Sequence, residues 1–250
     1  MLLRSGWLVL LAAPVLATPS GYRFVTEEFP PYTYATSQAA GPMVDVLNAL
    51  CDRLALSCRI DVLPWRRALQ LAEEGRADGI FTVVDMPARR QYFYISPPVI
   101  RARYVFAERA DTLSPWHSLA DIAGRTIGVY GPSASEQALA ELGAGMRYLL
   151  SEETDNLVAL RKLAGGRYGT DGLVLVNEGV AQWLIRYQGI EGLRLLPAVR
   201  DLQYSFGLSR LRFNAADAAR FAAALQQMCR RGEMARLVRR YDLQPAGCQP

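Results

Sequence analysis

"CRIDVLPWRRALQLAEEGRADGIFTVV", residues 58–84, sets out the fold in one pass. The short apolar run at 58–64 reads as a strand, and "WRRALQLAEEG" has apolar residues at helical spacing up to Gly75. Asp78 and Gly79 then lead into a second apolar run, "DGIFTVV". Strand, helix and strand in succession predict parallel strands with the helix laid over one face. Upstream, "YRFVT" (22–26) and "MVDVLNALCDRLAL" (43–56) supply another strand and helix. Downstream the plan repeats: "RTIGVYG" (125–131), "SASEQALAELG" (133–143), "MRYLLS" (146–151), "TDNLVALRKLAGG" (154–166), "DGLVLV" (171–176) and "NEGVAQWLIRYQ" (177–188). "AEEGRADGIFTVV" (72–84) and "LAGGRYGTDGLVLV" (163–176) echo one another: helix, glycine stop, arginine, then Asp-Gly before a strand. Shared left-handed glycine caps explain the echo without common descent.

Two further extended segments, 96–124 and "LQYSFGLS" (202–209), lie far enough apart to lead the chain out of a first lobe and back into it. The expected architecture is α/β: two mostly parallel sheets joined by a two-segment hinge around a ligand cleft. Residues 18–107 form the first part of lobe 1, 108–202 lobe 2, and 203–250 the return to lobe 1 with the C-terminal helices. Ligands of open α/β sheets bind outside the carboxyl ends of the strands, and here those ends face one another across the cleft.

Residues 1–17 carry one early charge, Arg4, and an apolar run "GWLVLLAAPVLA" ending in small residues. This pattern predicts a cleavable signal peptide, too short to span a membrane, and hence an exported chain. No cysteine follows the run, so no lipid anchor is expected. The four cysteines of an exported chain predict two disulfides. Among three connectivities, local pairing of Cys51 with Cys58 and of Cys229 with Cys248 is expected. No cysteine spacing fits a zinc site, and His117 is the only histidine, so neither metal nor cofactor is expected. A formal net charge of +4, spread along the chain, argues against a nucleic-acid partner. The basic run "CRRGEMARLVRRYD" (229–242) alternates with apolar residues and reads as a solvated helix face.

In "FTVVDMPARRQYFYISPP" (81–98), two arginines stand between an apolar strand and an aromatic run. A guanidinium stays charged and its fork meets both oxygens of a carboxylate, which suits Arg90 to an anionic ligand, while Arg89 is expected to face solvent or a surface acid. The alternative for Arg90 is a surface pair with Asp85. Across the cleft, Ser133 or Ser135 caps a helix whose free N–H groups also suit an anion. Phe29, Tyr32 and Trp65 lie at loop positions beside the cleft, where flat rings bury apolar area while tolerating varied ligands.

In their order and spacing, "EEFPPYTY", "GPMVDVLNAL", "LPWRRALQLAEEGRADG", "DMPARRQYFYISPPV", "SLADIAGRTIGVYGPSASEQAL" and "DGLVLVNEGVA" resemble the periplasmic solute-binding proteins of the polar amino-acid type, over essentially the whole mature chain. The resemblance implies a type II periplasmic-binding fold and a monomer that closes around an amino acid or derivative for delivery to an ABC importer. It makes Arg90 the carboxylate clamp and Thr82 a hydroxyl beside it. The family's ammonium acceptors fall near Thr26, Glu27 and Glu28 in lobe 1, and near Asn177 and Glu178 in lobe 2. Asp85 stands where a small hydroxyl residue is common, as a replacement acceptor or a repelling charge. Two other functions use the same fold: a dehydratase acting through Arg90 and a carboxylate such as Glu178, and a freestanding sensor presenting its closed form to a membrane receptor.

Overall fold

The computed structural model describes residues 21–113 and 116–248, so the predicted signal peptide lies outside it. In the first half, β1 (Tyr22–Thr26), a two-stranded ribbon of β2 (Tyr34–Ala35) and β3 (Ala39–Ala40), α1 (Pro42–Arg53), β4 (Cys58–Val62), α2 (Trp65–Glu73) and β5 (Gly79–Val83) follow one another. A single helical turn, α3 (Pro87–Arg90), leads to β6 (Phe93–Ile95) and the long β7 (Ile100–Arg109). Then come β8 (Thr126–Tyr130), α4 (Ala134–Leu142), β9 (Leu149–Glu153), α5 (Asn156–Ala164), β10 (Leu173–Asn177) and α6 (Glu178–Tyr187). β11 (Leu193–Ser209), α7 (Ala215–Arg230) and α8 (Glu233–Arg239) complete the order.

The sheet has the strand order β4-β1-β5-β11-β7-β10-β8-β9, with β6 also on β11. Its two flanks are parallel: β1 pairs with β4 and β5, and β8 with β9 and β10. The centre is antiparallel. β11 pairs with β7 from Leu193 to Tyr204, then with β5 and β6 from Ser205 to Ser209. One strand thus serves both flanks, and the β7–β11 ribbon joins them. The expected boundaries at 107/108 and 202/203 fall inside these two strands, because β7 already pairs with β10 from Tyr104 to Glu108.

The echoed segments share their geometry. Gly75 and Gly166 both take φ near +69°, which glycine adopts without steric cost. Arg76 N donates to Leu71 O and Arg167 N to Lys162 O, the paired carbonyl closures of a left-handed helix end. Asp155, Asn177 and Asn214 cap α5, α6 and α7 through their side chains. Cys51 is bonded to Cys58 and Cys229 to Cys248, as expected from local pairing. In the basic C-terminal run, Met234 and Val238 are buried while Arg236 and Arg239 face water. Among the described residues no helix is long and apolar enough to cross a membrane.

Candidate functional site

A cavity lies where the carboxyl ends of β1, β5, β8 and β10 converge. Its lining includes Glu27 after β1, Thr82 on β5, Tyr130 on β8, Ser133 and Ser135 at the start of α4, and Asn177 on β10. The ribbon supplies Tyr104 and Tyr204, and Phe29, Trp65, Val84 and Arg89 complete the first-half wall. The space open to water centres is only ≈ 30 Å³, so the two flanks are closed on one another.

Arg89 and Arg90 exchange the places that the sequence predicts for them, the surface for Arg89 and the cleft for Arg90. Arg89 is 6 % exposed and lines the cavity, with its guanidinium carbon 5.0 Å from the centre of the Trp65 ring. Arg90 is exposed and bidentate to Asp85, at 2.8 and 2.7 Å. The cause is helical phase: α3 is one turn, and successive residues on a helix point about 100° apart. Asp85 is thereby a surface partner of Arg90, outside the cavity lining.

No described residue gives the Arg89 side chain a hydrogen bond or an ion pair. Burial lowers its pKa, opposed by the nearby Tyr104, Glu27, Glu73 and Tyr204. The Trp65 indole nitrogen, also buried, has no acceptor. Thr82 sits at the end of β5 with φ +63°, a left-handed conformation costly for a β-branched residue, and its hydroxyl lies 3.3 Å from that of Thr33.

Glu27 meets the opposite flank directly: the Tyr130 hydroxyl donates to its Oε2 at 3.0 Å. Enclosure pushes the Glu27 carboxyl up to about 8, against the lowering effect of that hydrogen bond and of the Arg89 charge. Thr26, by contrast, is fully buried and donates to the Phe81 carbonyl. Glu178 is paired with Arg103.

Other predicted residues are occupied. Asn177 Oδ1 accepts from the Tyr32 hydroxyl and the Val180 amide, and its Nδ2 donates to the Tyr204 hydroxyl, at 2.9, 3.1 and 2.9 Å. Tyr32 is a layer behind the cavity, stacked on Phe29 with ring centres 5.6 Å apart. Ser133 Oγ caps the Ser135 amide, and both serine hydroxyls donate to the Tyr130 carbonyl. Tyr104, Tyr130 and Tyr204 carry no signal in the sequence: they lie on strands, where alternation does not say which face meets a cleft. His117 is exposed, and its amide donates to Asp121. No group of three His, Cys, Asp or Glu side chains among the described residues is placed to hold a metal ion.

Two sheet flanks joined by a crossing ribbon, with a buried cation and aromatic rings between them, define a two-lobed type II binding fold. The chain belongs to the bacterial extracellular solute-binding proteins, family 3, whose model matches residues 23–244. This makes it a solute-binding protein and not an enzyme, against the dehydratase alternative. Its fold is similar to a histidine kinase sensor domain related to periplasmic binding proteins: TM-score 0.81, 19 % identity, 91 % of this chain and 98 % of that one covered. It is also similar to the arginine-, lysine-, histidine-binding protein ArtJ from Geobacillus stearothermophilus, with TM-score 0.76, 19 % identity and coverages of 88 % and 94 %. An ancestral arginine-binding protein gives 0.77, 18 %, 88 % and 97 % in the same order. No curated protein sequence matches the chain significantly.

Proposed function

We propose that the cleft captures a small carboxylate-bearing solute, an amino acid or derivative, in the periplasm. Arg89 is the carboxylate clamp, in place of the predicted Arg90. The observation that supports this reading is a guanidinium buried at the cavity wall with neither hydrogen bond nor ion pair. Burying an unpaired cation costs several kcal/mol, and a ligand carboxylate offsets that cost while filling both arms of the fork. Thr82 and the first turn of α4 flank the same anion, and Glu27, beside Arg89, suits the ligand's ammonium group.

The two flanks act as lobes hinged at the β7–β11 ribbon. A ligand that touches Arg89 on one and α4 on the other stabilises the closed form through contacts that the open form lacks. The closed protein then delivers its solute to an ABC importer, the role named for several proteins of this fold.

Calorimetric titration of the mature protein with amino acids and small carboxylates tests the clamp. Arg89→Ala is expected to lose about 2 to 5 kcal/mol of binding free energy, and Arg90→Ala almost none. Undiminished binding by Arg89→Ala overturns the assignment.

A further inference from the structure

Trp65, the first residue of α2, has three kinds of neighbour. Its ring packs into an apolar cluster with Val25, Ala68, Ile80, Val83 and Phe93. The Arg89 guanidinium carbon stands over the ring, 5.0 Å from its centre. The third neighbour is the cavity, whose wall the two side chains share. The indole nitrogen is buried and has no hydrogen-bond acceptor.

An indole N–H only donates, and a guanidinium carries no acceptor, so Arg89 cannot satisfy it. The side chains of the apolar cluster carry no acceptor either. Of the three neighbours, the cavity is the one that can supply it. Buried donors without a partner are rare in folded proteins, and each is costly. Here two stand side by side on one wall, Trp65 Nε1 and the Arg89 fork. Acceptors elsewhere on the walls are engaged: Asn177 Oδ1 takes two hydrogen bonds, and Glu27 Oε2 takes one from Tyr130. A carboxylate has about four lone-pair sites, and an arginine fork fills two of them.

We infer that Trp65 Nε1 donates to the ligand's carboxylate beside Arg89, so that Trp65 is a second arm of the clamp. The sequence suggests a flat apolar wall at this position; the structure sets Arg89 over the ring and leaves its edge polar. This rests on the carboxylate reading above and adds a donor that sets how the carboxylate is oriented.

The test uses isotope-labelled wild type, Trp65→Phe, Arg89→Ala and the double variant, titrated with the twenty standard L-amino acids one at a time. In wild type, the Trp65 indole N–H resonance is expected to move downfield and to exchange more slowly with water as an amino acid saturates the site. Trp65→Phe keeps a ring beneath Arg89 and is expected to bind the same amino acid about 10- to 100-fold more weakly, the scale of one hydrogen bond to a charged group. In the Arg89→Ala background the same substitution is expected to cost less than about threefold, because the carboxylate is no longer held beside the indole. Should Trp65→Phe prove unfolded by its melting temperature, the wild-type indole resonance decides alone. An indole resonance indifferent to an amino acid whose binding needs Arg89 overturns the inference and leaves the Arg89 clamp standing. Equal losses from Trp65→Phe in both backgrounds do the same. Binding indifferent to Arg89, or no binding of any of the twenty, overturns both.

Discussion

The end of β5 and the end of β10 are built to one plan and differ in what they leave unsatisfied. Each strand follows a helix closed by a left-handed glycine, Gly75 or Gly166, and each is buried along all five residues. β10 runs into Asn177, whose side chain caps α6 and binds Tyr32 and Tyr204, so both the oxygen and the nitrogen of that amide are engaged. β5 runs into Thr82 in a strained conformation and then to Arg89, buried against the Trp65 ring with neither hydrogen bond nor ion pair. The β10 corner spends its polar groups on holding the fold, and the β5 corner leaves a buried charge without a hydrogen bond or ion pair, as the proposed clamp requires. Backbone strain and unpaired polar groups that persist in a folded protein are a recognised mark of binding sites.

The largest effect expected from this contrast is at Asn177. Asn177→Ala removes a helix cap and leaves the Tyr32 and Tyr204 hydroxyls buried without their partner, a loss of about 3 kcal/mol. Urea denaturation of the ligand-free protein measures it. Tyr32 is fixed there by shape as well, since a Cβ on Gly179 would lie 2.8 Å from its hydroxyl. A loss near zero would mean that the β10 corner is not the structural one.

Glu27 gives the next effect, and its sign follows from the proton balance. Its carboxyl titrates near 8 when folded against 4.5 for an ordinary glutamate. Between those values the unfolded chain has lost the proton and the folded chain keeps it, so stability falls as pH rises. Below 4.5 both states are protonated and the contribution is fully present. Glu27 is only partly buried by surface area, which limits the effect to about 2 kcal/mol. Melting temperatures of ligand-free wild type and Glu27→Gln across this range should diverge, with the variant showing the shallower decline. Parallel profiles would mean that Glu27 is already ionised in the closed cleft.

Much of this arrangement was legible in the sequence. The alternation of strands and helices, the two glycine stops, the serine cap and the local disulfides all depend on residues near one another in the chain, where pattern and capping chemistry act. Seven of the predicted cavity residues, Thr82, Ser133, Ser135, Glu27, Phe29, Trp65 and Asn177, line the cavity. Arg89 and Arg90 could not be told apart by type, because which of two neighbours points inward depends on the phase of a four-residue turn. The nearby Asp85 was the available clue, since an arginine with a local acid is already neutralised. Tyr104 and Tyr204 were hidden for a different reason: the crossing of β7 and β11 decides their direction, and that is a long-range property. The lobe boundaries were blurred by the same strands, which belong to both flanks.

The smallest predicted effect is the most discriminating. If Arg89 is held in reserve for a ligand, the empty protein carries a cost that removal should relieve. Arg89→Met keeps the length of the side chain, takes away the desolvated charge and offers its sulfur to the Trp65 ring. The ligand-free variant should therefore be more stable than wild type by about 1 kcal/mol, since replacing a poorly paired buried charge with an apolar group is often stabilising. Part of the gain is cancelled by the lost attraction to Glu27 and Glu73, which now compensate the Arg89 charge. Any ligand that raises the wild-type melting temperature should leave the variant unmoved. A less stable Arg89→Met would show instead that the guanidinium is a strut between Trp65 and its acidic neighbours. The β5 corner would then be as structural as the β10 corner, and the contrast between them would collapse.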